Sequence, residues 1–115
     1  MNKNIRKLSI ELIQGLYKHP FSIYFDDTDF AKSLRTARKI LPLSAILDNL
    51  KNNQYTMPDD WISDVEYLIT QYEKSSSSPE YFSYKIMANE FHRIFMKQVG
   101  SIFPSVDLWT KNLAN

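Results

Sequence analysis

The sequence predicts an all-α protein that folds as an antiparallel four-helix bundle. Apolar residues recur at helical spacing in four segments, no segment alternates like a strand, and the connections after the second segment are short. A chain of 115 residues suits one domain, and 43% hydrophobic residues are ordinary for a globular core. We expect residues 1–99 to form the bundle and residues 100–115 to form a tail.

The first helix is predicted between Asn4 and Lys18. It should end near His19-Pro20, because a proline pushes the residue before it out of the α-helical region. Its apolar stripe consists of Ile5, Leu8, Leu12 and Leu16.

The long connection between Pro20 and Pro42 is rich in apolar side chains, which must pack against a core or a ligand. Part of it is expected to be helical behind a cap at Thr28 or Asp29. The apolar positions of that helix are Phe30, Leu34, Ala37 and Leu41. The same stretch carries the basic residues Lys32, Arg35, Arg38 and Lys39. They indicate a solvated helix face, with contact to a nucleic-acid backbone as the weaker alternative.

Two helices follow this connection. The second helix of the bundle is expected to end around Asn52-Asn53, and the third to begin with Thr56 as its N-cap and Pro58 in its first turn. The second helix carries Leu43, Ile46, Leu47 and Leu50 on its apolar face. The third carries Trp61, Val65, Leu68, Ile69 and Tyr72.

The fourth helix is predicted to start at Ser78-Pro79-Glu80, after a loop over Ser75–Ser78, and to stop at Gly100. Its apolar stripe is Tyr84, Met87, Phe91, Ile94 and Phe95. In the tail, one helical turn should pack on the bundle through Phe103 and Trp109, near Val106 and Leu108. We expect one shared core that includes Leu12, Leu47, Val65, Leu68, Phe91 and Ile94.

The composition argues against several functional classes. The chain has no Cys, and its two His residues are distant and have no carboxylates at ligand spacing, so no metal site is predicted. With only two Gly, no nucleophile or phosphate-binding motif is predicted either, and no cofactor is expected. We therefore do not expect an enzyme. No apolar run is long enough for a membrane span and the N-terminus lacks a signal-peptide block, which favours a soluble intracellular protein without a membrane partner.

The charges are distributed unevenly along the chain. A formal net charge of +1 gives no strong positive field, so nucleic acid is not expected as the main partner. Residues 41–83 hold two basic and seven acidic side chains. That segment suits a solvated face or a basic partner.

The spacing of several motifs resembles that of bromodomains. Leu50-x-Asn52-x-x-Tyr55 followed by Trp61-x-x-Asp64-Val65 is similar to the stretch that joins their second and third helices. An amphipathic helix ending in His19-Pro20 and followed by Phe25 resembles their first helix and aromatic shelf. Ala88-x-x-Phe91-x-x-x-Phe95 resembles their last helix, and the resemblance covers roughly residues 5–98.

The resemblance implies a left-handed four-helix bundle that binds acetylated lysine on histone or other protein tails. In that family the ligand enters a pocket between the first and third connections, where apolar walls hold the stem and a donor meets the acetyl carbonyl. It also implies a nuclear location and a larger chromatin complex as the host. The alternative is an interaction or assembly domain that keeps the fold and has lost acetyl-lysine binding.

The resemblance places the ligand-binding residues at specific positions of this chain. The shelf falls on Ile23-Tyr24-Phe25, the donor Asn of the family on Ser76, and the aromatic gatekeeper on Tyr84. A family Pro-Met-Asp motif aligns with Ile40-Leu41-Pro42, and its water-binding Tyr has no counterpart. The full expected set is Ile23, Tyr24, Phe25, Leu41, Tyr72, Ser75, Ser76 and Tyr84.

Overall fold

Four α-helices and one 3₁₀ helix account for most of the residues that the computed structural model describes, which are 1–26, 32, 34, 38–74 and 82–103. Within these ranges the chain contains no strand, which confirms the all-α class. The elements are α1 (Lys3–Leu16), the 3₁₀ helix (Pro20–Asp26), α2 (Leu43–Lys51), α3 (Pro58–Lys74) and α4 (Phe82–Ile102). No helix in the described ranges is long and apolar enough to cross a membrane.

Helix α1 begins at a side-chain cap, since the Oδ1 atom of the Asn2 side chain accepts the Ile5 N–H at 2.8 Å. Its buried face is rotated from the predicted stripe. Leu8 is 40% exposed, whereas Ser9 is fully buried. Burial of this polar side chain is tolerated because its hydroxyl donates a hydrogen bond to the Ile5 carbonyl oxygen. The prediction of a buried Leu8 was therefore wrong. The buried residues of α1 are Ser9, Leu12, Ile13 and Leu16.

Helix α2 ends where the sequence predicts, at a left-handed residue. Asn53 has a φ of 56°, and its N–H donates to the Leu50 carbonyl oxygen while the Gln54 N–H donates to that of Asn49. This pair of bonds is the Schellman motif, which closes a helix C-terminus with Gly or Asn in the left-handed position. Before α2, Leu41 is not helical, because the following Pro42 disfavours that conformation. The predicted helix through Leu41 therefore does not reach that residue.

Helices α3 and α4 have the predicted apolar faces but shifted ends. Helix α3 begins at Pro58, so the residue directly before it is Met57 and not Thr56, which was predicted as its N-cap. Asp59 and Asp60 occupy its first turn. Helix α4 continues through Gly100 to Ile102, so the predicted stop was wrong. Glycine inside a helix costs only about 1 kcal/mol relative to alanine, and the last turn is held by apolar packing. The packed residues there are Val99, Ile102 and Phe103.

The core is built mainly from α3 against α4 and α1 against α2. Of the six residues expected to share it, Leu12, Val65, Leu68 and Phe91 are fully buried. Leu47 and Ile94 are only half-buried and pack against its edge. The largest buried ring, Trp61, has an indole N–H without a hydrogen-bond partner among the described residues.

Several predicted features lie outside the described residues. They are the cap at Thr28 or Asp29, Phe30, Ala37, the loop over Ser75–Ser78, the helix start at Ser78-Pro79-Glu80, and Val106, Leu108 and Trp109 of the tail. These features stay predictions. Phe103, one of the two residues through which the tail was predicted to pack, lies against the core.

Candidate functional site

A groove of about 480 Å³ opens between the 3₁₀ helix and the first turns of α4. Its volume lies in the range of small-ligand pockets, and its walls are mostly aromatic and aliphatic. Ser83 and Glu90 add an aliphatic hydroxyl and a carboxylate to this lining, and Tyr24 and Tyr84 each carry a phenolic hydroxyl. The lining residues are Phe21, Tyr24, Ser83, Tyr84, Ile86, Met87 and Glu90.

The 3₁₀ helix is anchored to the core by Phe25. This ring is 1% exposed and packs on Tyr72 and Phe91, with centroid distances of 4.8 and 4.5 Å. The Tyr72 hydroxyl, deep in the core, donates to the Tyr24 carbonyl oxygen at 2.6 Å. Since its backbone is fixed in this way, Tyr24 presents its ring to the groove with 37% of the residue exposed.

The end of the 3₁₀ helix is tied to two other helices by Asp26. One carboxylate oxygen accepts the Tyr17 hydroxyl at 3.0 Å, and the other accepts the Ser44 N–H at 2.9 Å. Ser44 lies in the first turn of α2, where Pro42 supplies no side-chain cap. Asp26 therefore caps α2 from a distant segment.

Tyr17 remains a donor in this arrangement. Burial first, and then the Asp26 carboxylate, raise the pKa of the Tyr17 phenol well above its usual value. The hydroxyl therefore stays protonated at neutral pH and keeps its bond to Asp26.

The start of the 3₁₀ helix is held by two local hydrogen bonds. The Nδ1 atom of His19 accepts the Phe21 N–H at 3.1 Å, and the Ser22 hydroxyl donates to the Tyr17 carbonyl oxygen at 3.2 Å. The His19 ring also packs edge-on against Phe21 and Phe91, at 4.8 and 5.9 Å. These contacts place the Phe21 ring at one side of the groove.

The two tyrosines of the groove meet at its corner. The rings of Tyr24 and Tyr84 lie 5.6 Å apart at an interplanar angle of 70°. Tyr84 also packs edge-on against the buried Tyr72 at 6.5 Å. Perpendicular rings of this kind offer both a face and an edge to a ligand.

The single carboxylate in the lining, that of Glu90, is engaged by Arg93 one turn further along α4. The Nε atom of Arg93 donates to one oxygen at 3.1 Å, and a terminal nitrogen pairs with the other. The hydrogen bond from Arg93 lowers the pKa of Glu90 below its ordinary value. This wall of the groove therefore carries an ionised but paired carboxylate.

The structure brings two of the predicted ligand-binding residues, Tyr24 and Tyr84, to the groove. Phe25 and Tyr72 lie behind it in the core, and Ile23 is 68% exposed outside its lining. The remaining three predicted residues are Leu41, which is half-buried and packs against the core, and Ser75 and Ser76, which lie outside the described residues.

Five lining residues were missed by the sequence analysis. Four of them form one stripe of α4, Ser83, Ile86, Met87 and Glu90, at offsets of 3, 4 and 7 from Ser83. That spacing was readable in the sequence, although nothing in it indicates that the 3₁₀ helix lies opposite. The fifth is Phe21, which precedes the predicted shelf by two positions.

A second polar cluster surrounds Asp64 on α3. Its carboxylate accepts the Tyr55 hydroxyl at 2.8 Å and pairs with Arg38 at 3.6 Å. The Arg38 guanidinium also covers the Tyr67 ring at 4.1 Å from its centroid. Burial, followed by the bond to Asp64, raises the pKa of the Tyr55 phenol above its usual value.

This cluster gives the Trp61-x-x-Asp64-Val65 motif a structural role, since Trp61 and Val65 are buried and Asp64 joins α3 to two connections. Arg38, one of the four basic residues considered for nucleic-acid contact, is used inside the chain. Lys32 and Lys39 are exposed, and Arg35 lies outside the described residues.

No group of three side chains in the described ranges could hold a metal ion. Comparison of the chain with protein-family models, curated proteins and solved structures returned no match.

Proposed function

We propose that this chain is a recognition module for acetylated lysine, built as a bromodomain-like left-handed four-helix bundle. The observation that supports it is the meeting of the predicted shelf residue Tyr24 and the predicted gatekeeper Tyr84 at one groove. The partner is an acetylated histone tail or another acetylated protein tail, and the host is a nuclear chromatin complex.

The chemistry of the groove suits a neutral, largely apolar side chain. Acetylation removes the charge of lysine, so the ligand needs apolar walls for its stem and a donor for its amide carbonyl. Phe21, Tyr24 and Met87 supply such walls. The carboxylate of Glu90 is already paired with Arg93, which weakens its attraction for an unmodified ammonium group.

Binding is expected to be weak. The chain has no counterpart of the family's water-binding Tyr, and Ser76 replaces its donor Asn, so few donors reach the carbonyl. A single-mark peptide should bind with a Kd on the order of 0.1–1 mM, or roughly −4 to −5.5 kcal/mol. Because the recognised group is neutral, the affinity should depend little on salt.

The test is an NMR titration of the chain with acetylated, unmodified and trimethylated versions of one peptide. We expect chemical-shift changes at Tyr24 and Tyr84 with the acetylated peptide, and weaker binding of the other two. Tyr84→Ala should remove this response. Met96→Ala, on an exposed part of the same helix, should preserve it.

A second variant restores the family donor. Ser76→Asn should strengthen binding several-fold, because an amide reaches further than a hydroxyl and is the better donor. If neither the wild type nor this variant distinguishes acetylated from unmodified peptide, the interaction-domain alternative replaces the present proposal. A preference for the trimethylated peptide would instead indicate that the aromatic corner binds a cation.

A further inference from the structure

The groove has a different polar group at each end of an apolar floor. Ser83 and Glu90 both line it and are seven residues apart on α4, which places them about 10 Å apart along the helix axis. Between them lie Ile86 and Met87, on the same face of the helix. Any ligand that lies along this floor meets a hydroxyl at one end and a carboxylate at the other.

The two ends select opposite chemistry. The Ser83 hydroxyl is exposed and can donate a hydrogen bond to a carbonyl oxygen. The Glu90 carboxylate is ionised and can only accept. Arg93 occupies one site on each of its oxygens, but each oxygen retains a further lone pair for an N–H of a ligand.

We infer that Ser83 and Glu90 orient the bound lysine. Ser83 donates one of the two hydrogen bonds that the acyl carbonyl can accept, the other being the one proposed for position 76, and Glu90 accepts from N–H groups of the peptide at the other end of the stem. The inference rests on the proposed function. With bonds of about 1.5 Å along its stem, an extended acyl-lysine places its carbonyl about 8 Å from Cα. That length fits the separation of the two groups along α4.

This orientation defines the class of peptide that fits. The flanking residues of the peptide lie beside Glu90, so a flanking Lys or Arg is favoured and a flanking Asp or Glu is repelled. Because Arg93 shares the carboxylate and both side chains are partly exposed to solvent, the preference should amount to only a few-fold in Kd. The acyl group itself is remote from this carboxylate and is read by the hydroxyl.

The experiment is a titration of three acetyl-lysine peptides that differ only in flanking Arg, Ala or Glu residues, with the unmodified peptides beside them. Ser83→Ala should weaken binding of all three acetylated peptides several-fold and equally. Glu90→Gln should abolish the preference for flanking Arg, while binding of the Ala-flanked peptide changes less than twofold. Ser101→Ala, exposed on the same helix, is the matched control.

The outcomes separate this inference from the proposed function. If the wild type does not distinguish acetylated from unmodified peptides, the proposed function fails. The second case is that the wild type distinguishes them, while Ser83→Ala binds as the wild type does and Glu90→Gln keeps the wild-type preference for flanking residues. In that case acetyl-lysine recognition stands and the proposed orientation is wrong. Equal binding of all flanks by the wild type also overturns the role of Glu90.

Discussion

Asp26 joins three segments through one carboxylate, since it accepts from Tyr17 after α1 and from Ser44 in α2 while it closes the 3₁₀ helix. Asp26→Ala removes the only side-chain acceptor described at the start of α2 and leaves the Tyr17 hydroxyl without its partner. We expect a loss of about 2 kcal/mol in the free energy of unfolding, measured by urea denaturation.

The matched control for Asp26→Ala is Glu11→Gln, which changes an exposed carboxylate on α1 and should stay within about 0.5 kcal/mol of the wild type. A double-mutant cycle with Tyr17→Phe then isolates the bond between the two side chains. Additive losses in that cycle would show that the bond contributes nothing measurable.

Asn53 offers a second test at the scale of a single residue, because its φ of 56° is costly for a branched side chain. Asn53→Gly should be neutral or slightly stabilising, and Asn53→Val should cost about 1–2 kcal/mol. The neighbour Asn52 has a φ of −90°, so Asn52→Val should cost clearly less. Equal losses at the two positions in thermal denaturation would contradict the left-handed cap.

At the scale of elements, the sequence was sufficient for the existence of the four α-helices and for most of their buried faces. Periodicity fixed the α3 face, where Trp61, Val65 and Leu68 are all buried. The same periodicity predicted the wrong face of α1, because it places the apolar Leu8 in the core. The buried position is taken instead by Ser9, whose hydroxyl is satisfied by a hydrogen bond to the backbone of its own helix. The end of α4 was misplaced because packing of the last turn outweighs the helix-breaking tendency of Gly100.

The candidate site was less predictable than the helices. The resemblance places Tyr24 and Tyr84 at the ligand pocket, and their rings meet in the structure, whereas Phe25 and Tyr72 are buried in the core. Which of its rings the 3₁₀ helix buries depends on the direction in which that helix faces. That direction is set by long-range bonds, such as the one from Tyr72 to the backbone of Tyr24. Local sequence patterns carry no information on such contacts.

The register of α3 and α1 can be checked with one pair of variants. Leu68 is 1% exposed, so Leu68→Ala should cost about 2–5 kcal/mol through lost burial and a residual cavity. Leu8→Ala should cost less than about 1 kcal/mol, since this side chain is already partly in water. Similar losses for the two variants in chemical denaturation would mean that one helix is rotated from the described position.

Two truncations can separate the contributions that different parts of the C-terminal segment make to the stability of the fold. Deletion of residues 101–115 removes Ile102 and Phe103, which pack against the core, and should lower the melting temperature. Deletion of residues 104–115 leaves these two side chains in place and tests the predicted packing of Trp109 together with Val106 and Leu108. An unchanged melting curve for the shorter deletion would reject a packed Trp109.

At the scale of the whole molecule, two phenols connect segments that are distant in the sequence. Tyr17 ties α1 to Asp26, and Tyr55 ties the end of α2 to Asp64 on α3. Burial and the adjacent carboxylate raise the pKa of both above the usual value of about 10. Both groups therefore remain protonated in the folded chain under conditions in which the unfolded chain releases their protons.

The sign of the resulting pH dependence follows from linkage. Below about pH 10 both states hold the protons, so the stability supplied by the two bonds is fully present. Above that pH the unfolded state loses them first, and the free energy of unfolding must fall as the pH rises toward the folded-state pKa values. The slope should stay below the ideal of about 1.4 kcal/mol per pH unit for each group, because Tyr17 is partly exposed and solvent screens its interaction.

We therefore expect the double variant Tyr17→Phe with Tyr55→Phe to be less stable than the wild type at neutral pH, by roughly 1–3 kcal/mol for two lost hydrogen bonds. This difference should shrink steadily above about pH 10, because the variant has no phenols to titrate at these positions. Urea denaturation of both proteins at the same series of pH values measures it, and lysine titration largely cancels in the comparison. If the stability difference between the two proteins stayed constant or widened with pH, the pKa values of the two phenols would not be raised in the folded chain.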